Sequence, residues 1–289
     1  MIHLTSKTIQ AATSEHLSSV QEAILKEDGF EAQARRASSR WDSKTSSNAA
    51  REAFRDIKET LIRMCVGVEI CVYCENNEAT DIEHIFPKKL YPEKAFSWDN
   101  YVLACGKCNT HYKSDRFKIF NPANSTTEVD VTPPRGMYLQ PATDDALFIN
   151  QRVEDPMEYL ELDLVNQQFI FTERHPEGSR EYRKAKFTKE LLGLNTRASL
   201  IVQRKNATKY FRDRLEKYVK TKGATNFDEL VAAINDDFGG VDYAKNFELE
   251  KTAKLESIKN DILTYSHPTI WKELVRQRNN LPRINAFLD

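Results

Sequence analysis

Two short spacings in the chain could do chemistry. Cys71-Val72-Tyr73-Cys74 and Cys105-Gly106-Lys107-Cys108 are CxxC pairs separated by 30 residues. A CxxC turn lets two thiolates face one ion, and two such knuckles complete a tetrahedral four-cysteine zinc site. A redox CxxC or a chance pairing accounts less well for two pairs spaced in this way. Zinc would then fasten a module that has little core of its own. The fifth cysteine, Cys65, lies on the apolar side of a predicted helix and reads as a small buried hydrophobe.

Between the knuckles runs Asp81-Ile82-Glu83-His84-Ile85-Phe86-Pro87-Lys88. An acid directly before a histidine, among β-branched residues, suggests a strand end that presents polar groups to a cleft. Trp98-Asp99-Asn100 then leads into the apolar run Tyr101-Val102-Leu103-Ala104, and Cys108-Asn109-Thr110-His111-Tyr112-Lys113 can open a helix. Singly these pieces are ordinary: most histidines are structural, and Asn before an apolar run is often a turn residue.

In this order they resemble the HNH nuclease module: a CxxC, an acid-His-Ile-x-Pro motif, an Asn before an apolar strand, and CxxCN followed by Lys. The resemblance covers about residues 68–118. It implies a ββα-metal finger, a β-hairpin packed on a helix with one catalytic divalent ion against the hairpin. On that resemblance Glu83 and Asn109 hold the ion, and Asn100 steadies the hairpin loop that orients His84. Phosphodiester hydrolysis asks for the same parts. An imidazole that titrates near neutrality can deprotonate a water, which makes His84 the expected general base. Hard oxygen donors suit Mg²⁺ or Mn²⁺, which stabilises charge on the phosphate and leaving oxygen.

Two departures stand out. Glu83 replaces the Asp of many members, and Lys113 lies four residues after Asn109 rather than the commoner three. Lys113 is expected either at phosphate or on the helix surface. His111 is a candidate third ligand or backbone contact, with a plain surface role preferred, and Asp81 is a less favoured ligand. Further pieces narrow the resemblance. Cys71 to Glu75, Tyr91-Pro92, Glu154-Asp155-Pro156 and Leu192-Gly193-Leu194-Asn195 look like the HNH nuclease subunit of Septu-type and retron-associated anti-phage systems. That resemblance reaches about residue 215 and implies an ATPase subunit as partner.

The elements that must position these residues read as α+β, mainly helical. Residues 1–66 form a helical region, with Leu17, Val20, Ile24 and Leu25 at helical spacing in one segment and Phe54, Ile57, Leu61, Ile62 and Cys65 in another. Residues 67–120 are the nuclease module. Residues 121–179 are proline-punctuated and acidic, with eleven Asp and Glu against three Arg, and Tyr159–Phe171 reads as a further β-hairpin. Residues 180–289 are helical and begin with a basic stretch, fourteen Lys and Arg against four Asp and Glu over 180–222. A break is predicted near Gly193-Leu194-Asn195, a short helix after Asn226 that Gly239-Gly240 stops, and a last helix after Pro268. Arg197, Arg204, Lys205, Lys209, Arg212, Arg214 and Lys217 fall on the long helix after the break. They are expected either to contact phosphate backbone or to form a solvated face opposite the acidic segment.

Composition excludes other classes. The chain has 289 residues, 42 Lys and Arg against 43 Asp and Glu, and a mean hydropathy of −0.60. The near-zero net charge argues against a uniformly basic, polynucleotide-coating protein. No stretch approaches the roughly 18 apolar residues of a membrane span, and the first residues lack a secretory pattern. Paired rather than bridged cysteines fit a reducing, cytoplasmic setting. The expected function is metal-dependent endonucleolytic cleavage of DNA in prokaryotic anti-phage defence. Cleavage of RNA such as tRNA by the same site is one alternative. A non-catalytic zinc module that binds nucleic acid or a partner is another, although zinc alone needs none of Glu83, His84 and Asn109.

Overall fold

The computed structural model describes residues 1–76, 78–235, 240–280 and 287. They group into two compact units: Met1–Asp163 with Ile170–Leu200, and Leu164–Phe169 with Ile201–Asp289.

The first unit opens with α1 (Ala11–Leu25), α2 (Phe30–Asp42) and α3 (Asn48–Met64). The serine-rich loop before α3 ends at Ser47, whose side chain accepts the Ala50 N–H at 3.2 Å and starts the helix. Phe54, Ile57 and Leu61 form the buried stripe of α3. The helix α2 was not among the two predicted by apolar spacing, because its buried face is Ala34, Ala37 and a single large residue, Trp41.

The segment with the paired cysteines follows. Strand β1 (Asp81–His84) pairs antiparallel with β2 (Tyr101–Ala104), and His84 lies opposite Tyr101. A long loop with two short 3-10 turns, Pro92–Lys94 and Trp98–Asn100, connects them. Beyond β2, residues Lys107–Lys113 form a π-helix. Hairpin and helix together make the expected ββα finger.

A second hairpin, β3 (Lys118–Asn121) with β4 (Asn124–Asp130), was not predicted. Most of β4 is solvent-exposed and polar, so it carries no apolar alternation to read. The short α4 (Pro156–Tyr159) precedes the hairpin that was predicted, β5 (Leu160–Leu162) with β6 (Phe171–Glu173). Helix α5 (Arg180–Leu191) starts at Ser179, which accepts the Tyr182 N–H at 3.1 Å. Its cations meet the acidic stretch: Arg180 pairs with Asp145, Arg183 with Glu128, Lys184 with Glu154 and Lys189 with Glu173. Four of the eleven acids of residues 121–179 therefore pair with cations of α5 within this unit.

After Gly193, which turns in the left-handed region at φ +59°, the chain enters α6 (Ala198–Gly223). The second unit holds most of α6 with α7 (Phe227–Ile234), α8 (Phe247–Leu263) and α9 (Pro268–Arg276). Asn226 and Asn246 cap α7 and α8 by accepting the N–H groups of Glu229 and Glu248. Helix α7 stops at Asn235, which takes φ +36°. The expected stop at Gly239-Gly240 is thus too late, and Gly239 lies outside the described residues. Among the described residues, no helix is long and apolar enough to cross a membrane.

Candidate active site

The four paired cysteines meet. Their sulfurs all lie within 4.8 Å of one another, buried and free of disulfides, with Cys74 and Cys105 Sγ at 3.8 Å. Zinc–sulfur bonds of about 2.3 Å put the corners of a tetrahedron roughly 3.8 Å apart, so this donor set fits Zn²⁺. The backbone holds the first knuckle: Glu75 N–H donates to Cys71 O at 2.8 Å and Cys71 N–H to Asn76 O at 2.9 Å. At the second knuckle the Cys108 N–H approaches Cys105 Sγ at 3.5 Å. Cys65 stays outside the cluster and is half-buried rather than fully enclosed. Burial still pushes its thiol up to about 12.

His84 ends β1, buried beside the cleft. Its Nε2 lies 2.8 Å from the carbonyl of Ala95, which also accepts the Tyr101 hydroxyl at 2.8 Å. A carbonyl has no proton to give, so Nε2 carries the hydrogen and Nδ1 keeps the free lone pair. Burial holds the imidazole well below its ordinary titration range, and the nearby Lys88 ammonium adds to the effect. The ring is therefore neutral with one fixed tautomer, and it is held below the near-neutral titration that the general-base expectation assumed.

Asn100 ties the ends of the long loop together. Its Oδ1 accepts the Phe86 N–H at 2.7 Å, and its Nδ2 donates to Phe86 O at 3.0 Å and Lys94 O at 2.9 Å. The residues flanking His84 and Ala95 are thereby joined through one amide. Asn109 lines the cleft from the π-helix and donates from Nδ2 to Asp81 Oδ2 at 2.9 Å. Among the described residues, its Oδ1 has no bond partner.

Lys113 does not reach for phosphate. Its ammonium is fully buried, 2.8 Å from Glu83 Oε1 and 2.7 Å from His84 O. The π-helix explains how it gets there. Ser114 N–H donates to Asn109 O at 2.7 Å, an i to i+5 bond, and this wide turn absorbs the extra residue between Asn109 and Lys113. Burial pushes the Glu83 carboxyl up, while Lys113 pulls it down. Both expectations for Lys113, phosphate contact and helix surface, are thus replaced by a buried ion pair.

The cleft has a volume of about 230 Å³, and Trp41, Glu83, His84, Lys88, Asn109 and Asp115 are among its walls. Three of these, Trp41, Lys88 and Asp115, went unremarked in the sequence as site residues. Trp41 comes from α2 and presents its ring to His84. Lys88 makes no ion pair among the described residues, whereas its neighbour Lys89 holds Asp115 at 2.6 Å. The signal for Lys88 was its place one residue beyond the acid-His-Ile-x-Pro motif. His111 is exposed, rests on the Tyr112 ring and does not line the cleft. In the second unit Arg204 is buried and donates to Phe169 O at 3.1 Å, so it is not available on a solvent face. Lys205, Lys209 and Arg212 are exposed and unpaired among the described residues.

With the hairpin, helix and knuckles in this arrangement, comparison with known proteins is decisive for residues 71–115, which match the HNH endonuclease family. The chain carries an HNH endonuclease domain. It is also similar to two proteins named Septu protein PtuB. The one from Bacillus mycoides (strain KBAB4) is 30% identical over 129 residues, 38% of this chain and 40% of that protein. The one from Bacillus thuringiensis is 35% identical over 65 residues, 19% of this chain and 25% of that protein. The aligned stretches span less than half the length of these relatives. The HNH domain and the Septu-type likeness both agree with the motifs read from the sequence.

Proposed function

We propose that this chain is a divalent-metal-dependent endonuclease that hydrolyses phosphodiester bonds in DNA as the nuclease component of an anti-phage defence system, working with a co-encoded ATPase subunit. The observation that carries the reading is His84. A neutral imidazole, locked through Nε2–H on Ala95 O, faces a polar cleft inside an HNH domain. The Septu likeness supports the defence setting and the multi-subunit assembly.

His84 Nδ1 takes the proton of the attacking water, because it is the ring nitrogen with a free lone pair. Asn100 keeps the loop closed so that the Ala95 carbonyl stays on Nε2. Glu83, through the oxygen not held by Lys113, and Asn109, through Oδ1, form the donor set for Mg²⁺ or Mn²⁺. Two protein oxygens would suit a hard ion, a class that keeps most of its waters. Such an ion supplies charge stabilisation at the scissile phosphate and the leaving oxygen. Lys88 takes the phosphate-facing role first expected of Lys113, since Lys113 is spent on Glu83. The four-cysteine zinc has no part in the chemistry and fastens the finger. Lys205, Lys209 and Arg212 offer additional backbone contact without base choice.

The test is cleavage of supercoiled plasmid, single-stranded DNA and tRNA with Mg²⁺ or Mn²⁺, by wild type beside His84→Ala. The expected result is metal-dependent cutting of DNA by wild type and none by the variant. Cutting of tRNA alone would move the substrate to RNA, and equal cutting by His84→Ala would overturn the mechanism.

A further inference from the structure

Arg197 stood in the sequence as one more cation on a basic helix. In the structure it is only 6% exposed and turned inward. Its Nη1 lies 3.2 Å from Cys108 Sγ, and its guanidinium carbon sits 5.0 Å from the centre of the Tyr112 ring. Among the described residues, its Nε finds no acceptor, so sulfur and ring are what this buried cation is given.

The turn that delivers Arg197 is built for this position. Asn195 clasps β6, with Oδ1 accepting the Phe171 N–H at 2.9 Å and Nδ2 donating to Phe171 O at 2.7 Å. Gly193 leaves the room that Tyr112 fills: a Cβ there would come within 2.4 Å of Tyr112 Cε1. With φ at +59° as well, the position suits glycine on two counts. Leu192 and Leu194 are fully buried and anchor the turn from both sides. Gly193, Asn195 and Arg197 therefore act together, holding a guanidinium against the knuckle helix.

A Zn²⁺ held by four thiolates carries a net charge of −2, which is costly in a buried site unless a cation or N–H donors offset it. The Cys108 N–H serves Cys105. We infer that Arg197 is part of the zinc site: an outer partner that donates to the Cys108 thiolate, offsets the cluster's charge and slows loss of the metal. The N–H···S bond withdraws electron density from the sulfur. That makes the thiolate a poorer target for protons and electrophiles, the usual routes by which such sites open. This inference rests on the zinc reading of the four cysteines and not on the nuclease activity.

The experiment uses the full chain and three variants, Arg197→Gln, Arg197→Lys and Thr196→Ala. Thr196 is exposed in the same turn and its hydroxyl donates to Gly193 O, so it controls for disturbance of the turn. Zinc per chain is measured first, then the rate of zinc transfer to a chromophoric chelator. Arg197→Gln is expected to release zinc on the order of 10- to 100-fold faster than wild type. Arg197→Lys, which keeps charge but not the planar fork, falls between, and Thr196→Ala matches wild type. In the Co²⁺-substituted protein, the sulfur-to-metal charge-transfer band moves to lower energy in Arg197→Gln, because the sulfur lone pair is no longer held by an N–H. Equal release rates and an unmoved band in Arg197→Gln overturn the inference. Should that variant not fold, Arg197→Lys decides alone, and wild-type release from it gives the same negative answer. A wild-type protein without zinc overturns the zinc reading, and this inference with it.

Discussion

The indole of Trp41 lies 4.1 Å, centre to centre, from the His84 ring and meets it edge-on at 60°. Trp41 sits near the end of α2, some forty residues before the histidine, and Phe54, Phe96 and Tyr101 pack around it. Helix α2 thus gives the cleft one wall through Trp41, and the burial of His84 keeps the imidazole uncharged.

Replacing Trp41 with Leu keeps an apolar side chain but removes the wall against which the His84 ring rests. Cleavage is expected to fall about 10- to 100-fold, the scale of a small misplacement of a catalytic group, with zinc content unchanged. Initial rates beside metal analysis check this. Unaltered rates would show that Ala95 and Tyr101 orient the ring without help.

The pair of Lys113 and Glu83 predicts a stability effect. Lys113→Met strands a carboxylate in a buried site, which is expected to cost about 3–5 kcal/mol. Adding Glu83→Gln removes the stranded charge, so the double variant should recover part of that loss. Denaturant unfolding of the two variants and wild type measures both steps. A fully additive result would mean that the two groups do not depend on each other.

Lys88→Gln should weaken DNA binding without affecting the fold. Measured on a His84→Ala background, so that no cutting intervenes, the slope of log affinity against log salt should drop by about 1. An unchanged slope would remove Lys88 from the phosphate contacts.

Cys65 gives a pH prediction. Its thiol is held up to about 12 in the folded protein and ionises near ~8.5 in an unfolded chain. Between those limits the unfolded chain sheds a proton that the folded chain keeps. The stability contributed by this group is therefore whole below about pH 8.5 and declines as pH rises toward 12. Iodoacetamide at pH 8 should leave Cys65 unmodified in the folded protein, and Cys65→Ala should flatten the alkaline decline in unfolding free energy.

Much of the site was legible because its chemistry is contiguous in the chain. The paired cysteines, Glu83, His84, Asn100 and Asn109 all lie between residues 71 and 109, on or beside one hairpin and one helix. What escaped reading depends on contacts between distant segments. Trp41 carries no motif, and its helix buries only two alanines beside it, so neither the residue nor its face stood out. Arg197 and Arg204 belonged to a basic run expected either at phosphate backbone or on a solvated face, whereas packing turned both inward. Lys113 was ambiguous for a different reason: its direction depends on a wide helical turn, and spacing rules assume an ordinary one. The hairpin of β3 and β4 went unseen because a mostly exposed strand shows no alternation.

That wide turn has a consequence for how such domains vary in length. The surplus residue after Asn109 is taken up within a single loop of backbone, while Cys108 stays with the other three cysteines and Lys113 still reaches Glu83. In this chain the added residue is a local event that leaves both ends in register. A search pattern with a fixed gap between the asparagine and the lysine would pass over this chain. A pattern that asks for the buried lysine–carboxylate pair, and lets the gap float, would find it.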